Sequence, residues 1–285
     1  MSTPGKRIGY VDLNLENFHA NVYLKILRDD LRDRGFTVAG CWGKLTAEGQ
    51  AWATKNQVPW CDSVAALAAQ VDYLAVLAPS NPEVHLELCE LALPCGKPTY
   101  VDKTFAPDLA TAEKIFALAD QHGVVMQTSS ALRYTEAQEY VKSVGGPAQV
   151  QHMVTWGGGR SFGEYAIHPV ELCISCMGPD VRSLLRRGDR DEGASQLLLN
   201  FAGGRTAVVN VYTQANTPFM ATVTTEKVTK HIPVDTGKIF VNMAKAMLDL
   251  FEQRKANIDR QESLAIRRVL DAAMRPQALH GFVAV

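Results

Sequence analysis

The chain has almost no net charge: 29 Lys and Arg stand against 30 Asp and Glu, leaving −1. That balance supplies no electrostatic footprint for nucleic acid or for an anionic membrane surface. The basic clusters Arg186-Arg187 and Arg267-Arg268 are too small to alter it. No uninterrupted apolar run approaches the length of a membrane span, and Met1 to Arg7 is polar, without the apolar core of a signal peptide. The six cysteines fall in expected strands and helices rather than in a loop framework, so reduced thiols and a cytoplasmic setting are expected. Internal repeats and low-complexity segments are missing. Glycine is missing at one telling place, since none lies between Gly9 and Gly35.

What is present suffices for a sizeable core. A length of 285 residues with 47% apolar side chains suggests one large domain or two ordinary ones and argues against disorder. The stretch Leu74 to Lys103 reads as strand, loop, helix, turn and strand. Leu74 to Leu77 is a short apolar run closed by Pro79. Asn81 and Pro82 supply a cap and a first-turn proline for a helix with apolar residues at Val84, Leu88, Leu91 and Ala92. Cys95 to Pro98 breaks that helix, and Thr99 to Val101 begins the next strand. Two buried strands joined through a helix imply a right-handed parallel βαβ unit. Asp102 and Lys103 then fall just past the carboxyl end of the second strand, where ligands bind in open parallel sheets.

Around that unit the first half alternates strands and helices. Strands are expected at Arg7 to Asp12, Phe36 to Cys41 and Val124 to Gln127. Helices are expected at Leu15 to Arg34, Thr46 to Asn56, Asp62 to Gln70 (capped by Asp62) and Asp108 to His122. On the first helix Leu15, Phe18, Val22, Ile26 and Leu27 share a face. This alternation over residues 1–127 predicts a Rossmann-like, doubly wound parallel sheet. From 128 to 285 the texture changes. Arg133 to Val144 is helical, Val150 to Trp156 is a strand, and Gly157 to Gly159 begins a flexible loop leading to His168 and a helix from about Pro169. The region from Val181 to Ile232 is strand-rich, with Gly203-Gly204 as a hairpin turn. Helices at about Lys238 to Glu252 and Glu262 to Met274 close the chain. Strands gathered together with flanking helices predict an α+β domain on a mostly antiparallel sheet.

Several quoted residues resemble the Gfo/Idh/MocA family of oxidoreductases, which includes glucose–fructose oxidoreductase and inositol dehydrogenases. They are Pro79, Asn81, Pro82 and His85; Gly96, Lys97 and Pro98; the strand ending Asp102-Lys103-Thr104; and Ser130 to Tyr134, at the crossover into the second domain. His168 stands where the family has its second-domain histidine. The family's Glu-Lys-Pro motif appears as Asp102-Lys103-Thr104, and the carboxylates spaced around its histidine appear as Glu164 and Glu171. The resemblance implies an NAD(P)-dependent oxidoreductase acting on a sugar- or polyol-like hydroxyl/carbonyl substrate. Lys103 would hydrogen-bond the reacting oxygen and His168 would act as general acid/base, with Glu164 and Glu171 beside it. Asp12, Asn14, His19, Lys44, Pro79, Asn81, His85 and Asp102 would line the NAD or NADP site, and Arg133 and Trp156 the substrate. The resemblance also implies a homodimer formed through the strand-rich face around Gln196 to Thr225.

The chain departs from the family at its first turn. A glycine-rich turn lets backbone approach a pyrophosphate at a helix N-terminus, whereas here Asp12 to His19 carries side chains, two of them acidic (Asp12 and Glu16). A redox-neutral lyase or isomerase, or a non-catalytic sugar-binding relative without a dinucleotide, is therefore the alternative. Structural readings also stand beside the functional ones. His19 can be a bonded core histidine, Asp12 a helix cap, Glu171 a dipole complement, and Lys44 a solvated lysine rather than a partner for a 2′-phosphate. Cys173 and Cys176 have CxxC spacing, but inside a helix without a second pair they read as packing, and no metal is expected.

Overall fold

The computed structural model describes residues 5–188 and 193–285. Residues 1–4 lie outside the described residues, as do 189–192 within the expected strand-rich stretch. The chain divides into two compact units, Met1–Ser129 with Phe240–Ile258, and Ser130–Ile239 with Asp259–Val285.

The first unit is built from β1 (Arg7–Asp12), α1 (Phe18–Arg28), β2 (Thr37–Gly43), α2 (Thr46–Asn56), α3 (Val64–Ala68), β3 (Tyr73–Val76), α4 (His85–Ala92), β4 (Thr99–Asp102), α5 (Leu109–Gln121) and β5 (Met126–Ser129). The strands are parallel in the order β2-β1-β3-β4-β5. All residues of β3, β4 and β5 are buried, as short strands in a helix-covered parallel sheet must be.

Several boundaries move for local reasons. Helix α1 starts at Phe18, not Leu15, because Asn17 is extended and its side chain accepts from Ala20 N at 3.0 Å. Its buried stripe is His19, Tyr23, Ile26 and Leu27, while Phe18, expected on that face, is 64% exposed. Ser63, not Asp62, caps α3, through Oγ and Ala66 N at 3.1 Å. Asn81 makes no cap bond; a 3-10 turn over Pro82–Val84 precedes α4, and the Asn81 amide donates to Glu83 instead.

The second unit comprises α6 (Glu136–Ser143), β6 (Val150–Gly158), α7 (Phe162–Tyr165), α8 (Ile167–Met177), β7 (Val181–Arg187), β8 (Ala194–Phe201), β9 (Thr206–Tyr212), β10 (Met220–Thr225), β11 (Thr229–Pro233), and, after α9 (Ile239–Gln253), α10 (Arg260–Met274) and β12 (Val283–Ala284). Its sheet runs β11-β10-β6-β9-β8-β7-β12, antiparallel except where β6 lies parallel to β9. The hairpin at Gly203-Gly204 is present, with both glycines at positive φ. Gly157 and Gly158 do not begin a flexible loop; they continue β6 against Val211 and Tyr212. A Cβ on Gly158 would lie 2.2 Å from Tyr212 O, so glycine there permits close strand approach.

Helix α9 runs through the segment of the first unit that the expected split at residue 127 assigns to the second half. The reason is aromatic packing: Phe251 is fully buried, stacked on Tyr73 at 4.7 Å between centroids and close to Phe36 at 6.4 Å. Phe251→Ala should therefore cost about 3–5 kcal/mol of stability, measured by urea denaturation; a loss below 1 kcal/mol would mean that α9 is not part of that core.

Candidate functional site

The strand order of the first unit reverses at β1/β3, and in open parallel sheets ligands bind outside the carboxyl ends of the strands at such a switch point. Asp12 is the last residue of β1 and only 1% exposed. Its carboxylate accepts from Asn14 N at 3.2 Å, from the Asn17 amide at 2.8 Å and from the backbone N–H of Ala78, just beyond β3. Ala78 sits at φ +50°, the left-handed region that non-glycine residues rarely adopt. Asn14 Oδ1 takes Glu16 N at 3.0 Å, and Asn17 Oδ1 takes Ala20 N. Burial pushes the Asp12 carboxyl up to about 7, against the three donors that favour its charged form; Asp102 adds to the rise.

A diphosphate on a glycine turn needs open backbone amides and room for close approach. Here amides of the turn at Asn14 and Glu16 are bonded to the chain's own side chains, and a carboxylate bridges β1 to the segment after β3. The parallel sheet suits a dinucleotide, but this turn as folded does not fit its diphosphate in the glycine-turn manner.

Beside Asp12 lies a second buried carboxylate. Asp102, the last residue of β4, accepts from His19 Nδ1 at 2.5 Å, from its neighbour Lys103 N at 2.8 Å and from Tyr100 OH at 3.2 Å. The His19 ring is met edge-on by Phe18, Tyr23 and Phe240, with centroids 5.5–5.9 Å away. Lys103 follows, 7% exposed, its Nζ donating to Pro79 O at 3.1 Å. The structure thus brings Asp12, Asn14, His19, Asp102, Lys103 and Pro79 together at the strand ends.

Other expected residues are engaged elsewhere in the first unit. Lys44 pairs with Glu87 at 2.7 Å on the surface, which accounts for its charge without a 2′-phosphate. His85 is fully buried, with Nε2 2.6 Å from Leu77 O and Nδ1 3.0 Å from Phe105 O, a brace between the segments that follow β3 and β4. Asn81 is held to Glu83.

In the second unit His168 lies on the first turn of α8, and its Nδ1 is 2.7 Å from Ser130 Oγ. Glu171, one turn further on, is buried; it accepts from Ser130 N at 2.7 Å and from Arg133 Nε at 2.8 Å. Arg133 also contacts Glu262. Burial alone would lower the Arg133 pKa, but the two carboxylates raise it, so the guanidinium stays charged. Tyr165 and Phe219 stand 5.9 Å from the His168 ring. Glu164 lies on α7, where Ser161 Oγ accepts its N–H, and Trp156 is a strand residue paired with Asn210 and Met220. Sequence reasoning gave Ser130 no role beyond the crossover motif and missed Asn17 and Phe240; Asn17, three residues before Ala20, has the spacing of an N-cap.

Comparison with known proteins follows this geometry. Residues 15–130 match the model of the GFO_IDH_MocA family, described as an oxidoreductase family with an NAD-binding Rossmann fold. The chain shares its fold with GenD2 of gentamicin A biosynthesis, solved in complex with NAD (TM-score 0.79, 16% identity, covering 100% of this chain and 98% of that one). It is also similar to the scyllo-inositol dehydrogenase of Lactobacillus casei, solved with NAD(H) and scyllo-inositol (0.80, 13%, 98% of both chains). A third is the UDP-N-acetylglucosamine 3-dehydrogenase GnnA of Acidithiobacillus ferrooxidans (0.73, 15%, 94% and 95%). No curated protein matches. The shared fold is a Rossmann-like parallel sheet with an attached α+β unit. Over residues 15–130 the chain is similar to the Gfo/Idh/MocA oxidoreductase family, and over its whole length it shares the fold of those solved structures. Among the described residues no helix is long and apolar enough to cross a membrane.

Two outcomes follow. Asp12 binds a proton more tightly when folded than at its ordinary pKa of 3.8, so its contribution to stability is present below that pH and is lost as pH rises through about 7. Urea denaturation across pH 4–8 should show this fall, and Asp12→Asn should flatten it; an unchanged slope would contradict a raised Asp12 pKa. Glu171→Ala should cost about 3–5 kcal/mol, because it strips a buried guanidinium of its better-buried partner, as read from the thermal midpoint.

Proposed function

We propose that this chain is an NAD(P)-dependent oxidoreductase acting on a sugar- or polyol-like hydroxyl/carbonyl pair, with Lys103 and His168 as its acid/base groups. The observation that carries the reading is Lys103: a nearly buried ammonium just past the carboxyl end of β4, in the segment that matches the oxidoreductase family. An ammonium there stabilises negative charge developing on a substrate oxygen, and its desolvation strengthens that effect. His168, oriented by the 2.7 Å contact of its Nδ1 with Ser130 Oγ, exchanges the hydroxyl proton. Glu171 acts on this arrangement through Ser130 and Arg133 rather than on substrate. Glu164 belongs to the same group by its spacing, and Trp156 and Arg133 are assigned to the substrate side by resemblance. A bound nicotinamide dinucleotide would supply hydride transfer. The polyol class is supported by the inositol that the Lactobacillus casei structure binds.

A second reading has its own observation. The self-bonded turn at Asp12 favours a relative that has dropped the dinucleotide and uses the same groups for redox-neutral proton transfer, giving elimination or isomerisation. The face of the larger sheet around Gln196 to Thr225 is proposed as a homodimer surface and the cytoplasm as the setting, the cysteines being unpaired; molar mass in solution tests the dimer.

Titration of NADH and NADPH, followed by nicotinamide fluorescence, separates the two readings. Binding below about 1 mM, the upper end of ordinary KM values, supports the first; its absence at that concentration supports the second. Under either, Lys103→Ala and His168→Ala should each lower kcat by roughly 100- to 10,000-fold with the far-UV circular dichroism unchanged. Unaltered turnover in both would refute the assigned roles.

A further inference from the structure

We infer that His19, held by Asp102, is an acid/base group of the first unit, placed to take a proton from a hydroxyl of a polyhydroxylated substrate. The inference rests on the polyol-type substrate of the reading above, but not on a dinucleotide.

Geometry carries it. A carboxylate only accepts hydrogen bonds, so the 2.5 Å contact puts the ring proton on His19 Nδ1 and leaves the lone pair on Nε2. Asp102 is itself fixed, since Tyr100 OH and Lys103 N donate to its other oxygen. The imidazole ring is kept in place by Phe18, Tyr23 and Phe240. An orienting carboxylate on one nitrogen and a basic lone pair on the other is the arrangement by which a histidine serves as general base. Nε2 has no protein partner among the described residues, although His19 is only 8% exposed. Nε2 is not among the buried unpartnered atoms, so it keeps the contact with solvent that a substrate hydroxyl needs to reach it.

Location agrees. His19 is the second residue of α1 and Asp102 ends β4, so the pair sits at the carboxyl ends of parallel strands, next to Lys103 in sequence and to the Asp12 network. This is the place where a glycine turn would seat a diphosphate. In this chain it holds two carboxylates, an imidazole and an ammonium instead. The neighbouring Phe18 ring, 64% exposed, offers an apolar face to the C–H side of a sugar or cyclitol. A packing role alone accounts for Tyr23 and Phe240, but leaves unexplained why a histidine with an unbonded nitrogen occupies a core position beside an exposed aromatic.

The step is a balanced proton transfer. The substrate O–H bond breaks, its electron pair stays on oxygen, an N–H bond forms at Nε2, and the resulting imidazolium is stabilised by the Asp102 carboxylate. On the return step Nε2 gives the proton back. Asp102 is a positioning residue.

Two measurements on the full chain test this. Long-range 1H–15N correlation spectra of 15N-histidine-labelled protein, compared with His19→Asn for assignment, read the His19 tautomer at pH 8. We expect Nδ1–H in the wild type and its loss in Asp102→Asn, together with a shift of the Nε2 resonance on adding scyllo- or myo-inositol. Turnover of the same polyols with NAD or NADP is the second measurement. His19→Asn should lower kcat by roughly 100- to 10,000-fold while KM changes less than about threefold. An Nε2–H tautomer, an Nε2 resonance unmoved by either polyol, or a His19→Asn enzyme within threefold of wild type would each overturn the inference. If neither polyol is turned over, the oxidoreductase reading fails by itself, and the spectra alone decide the role of His19.

Discussion

A carboxylate taken out of water must be bonded, neutralised or paired, at a cost of several kcal/mol otherwise. Among the described residues three carboxylates are buried, and each organises its surroundings. Asp12 gathers donors from Asn14, Asn17 and Ala78, thereby joining β1, the start of α1 and the segment after β3. Asp102 gathers His19, Tyr100 and Lys103 N and so ties α1 to the end of β4. Glu171 binds Ser130 N and Arg133, linking α8 to the chain that enters the second unit.

The same constraint explains why the first turn differs from a glycine turn. Glycine leaves amides bare, so that an external anion can complete them. Asp12 carries an anion in the chain itself, and the amides turn to it and to its asparagine neighbours. The consequence is chemical as well as structural. Charge and titratable groups occupy the switch point of the parallel sheet, the place where open parallel sheets bind ligands. The second unit repeats the theme, since His168 is set by Ser130, whose backbone is set by Glu171, whose charge is balanced by Arg133.

Much of the architecture was legible because it follows from short-range patterns. Helix α2 begins and ends where its spacing predicts, at Thr46 and Asn56, and α5 starts within one residue of the expected Asp108, which caps it. The hairpin at Gly203-Gly204 announced itself through two consecutive glycines. Where patterns competed, the reading slipped by a few residues. Leu15 and Phe18 looked like the start of an apolar face, but the cap bond of Asn17 outweighed them. Gly157-Gly158 suggested a loop, whereas the strand register needed glycine for close approach to Tyr212. Lys44 gave no local sign that Glu87, more than forty residues away, would take its charge.

The sequence by itself determined the alternation that makes a parallel sheet, the strand-rich second half, and the presence of Lys103 at a strand end and His168 at a helix start. These depend on periodicity and on turn residues, which act over a few positions. Only the tertiary structure decided that His19 meets Asp102, that Asp12 closes its own turn, that α9 joins the first core through Phe251, and that Ser130 stands between His168 and Glu171. Those contacts join residues far apart in sequence, Phe36 and Phe251 among them. What selects them is the need of each buried polar or aromatic group for a particular neighbour, and that need is met only once the strands and helices have been brought together.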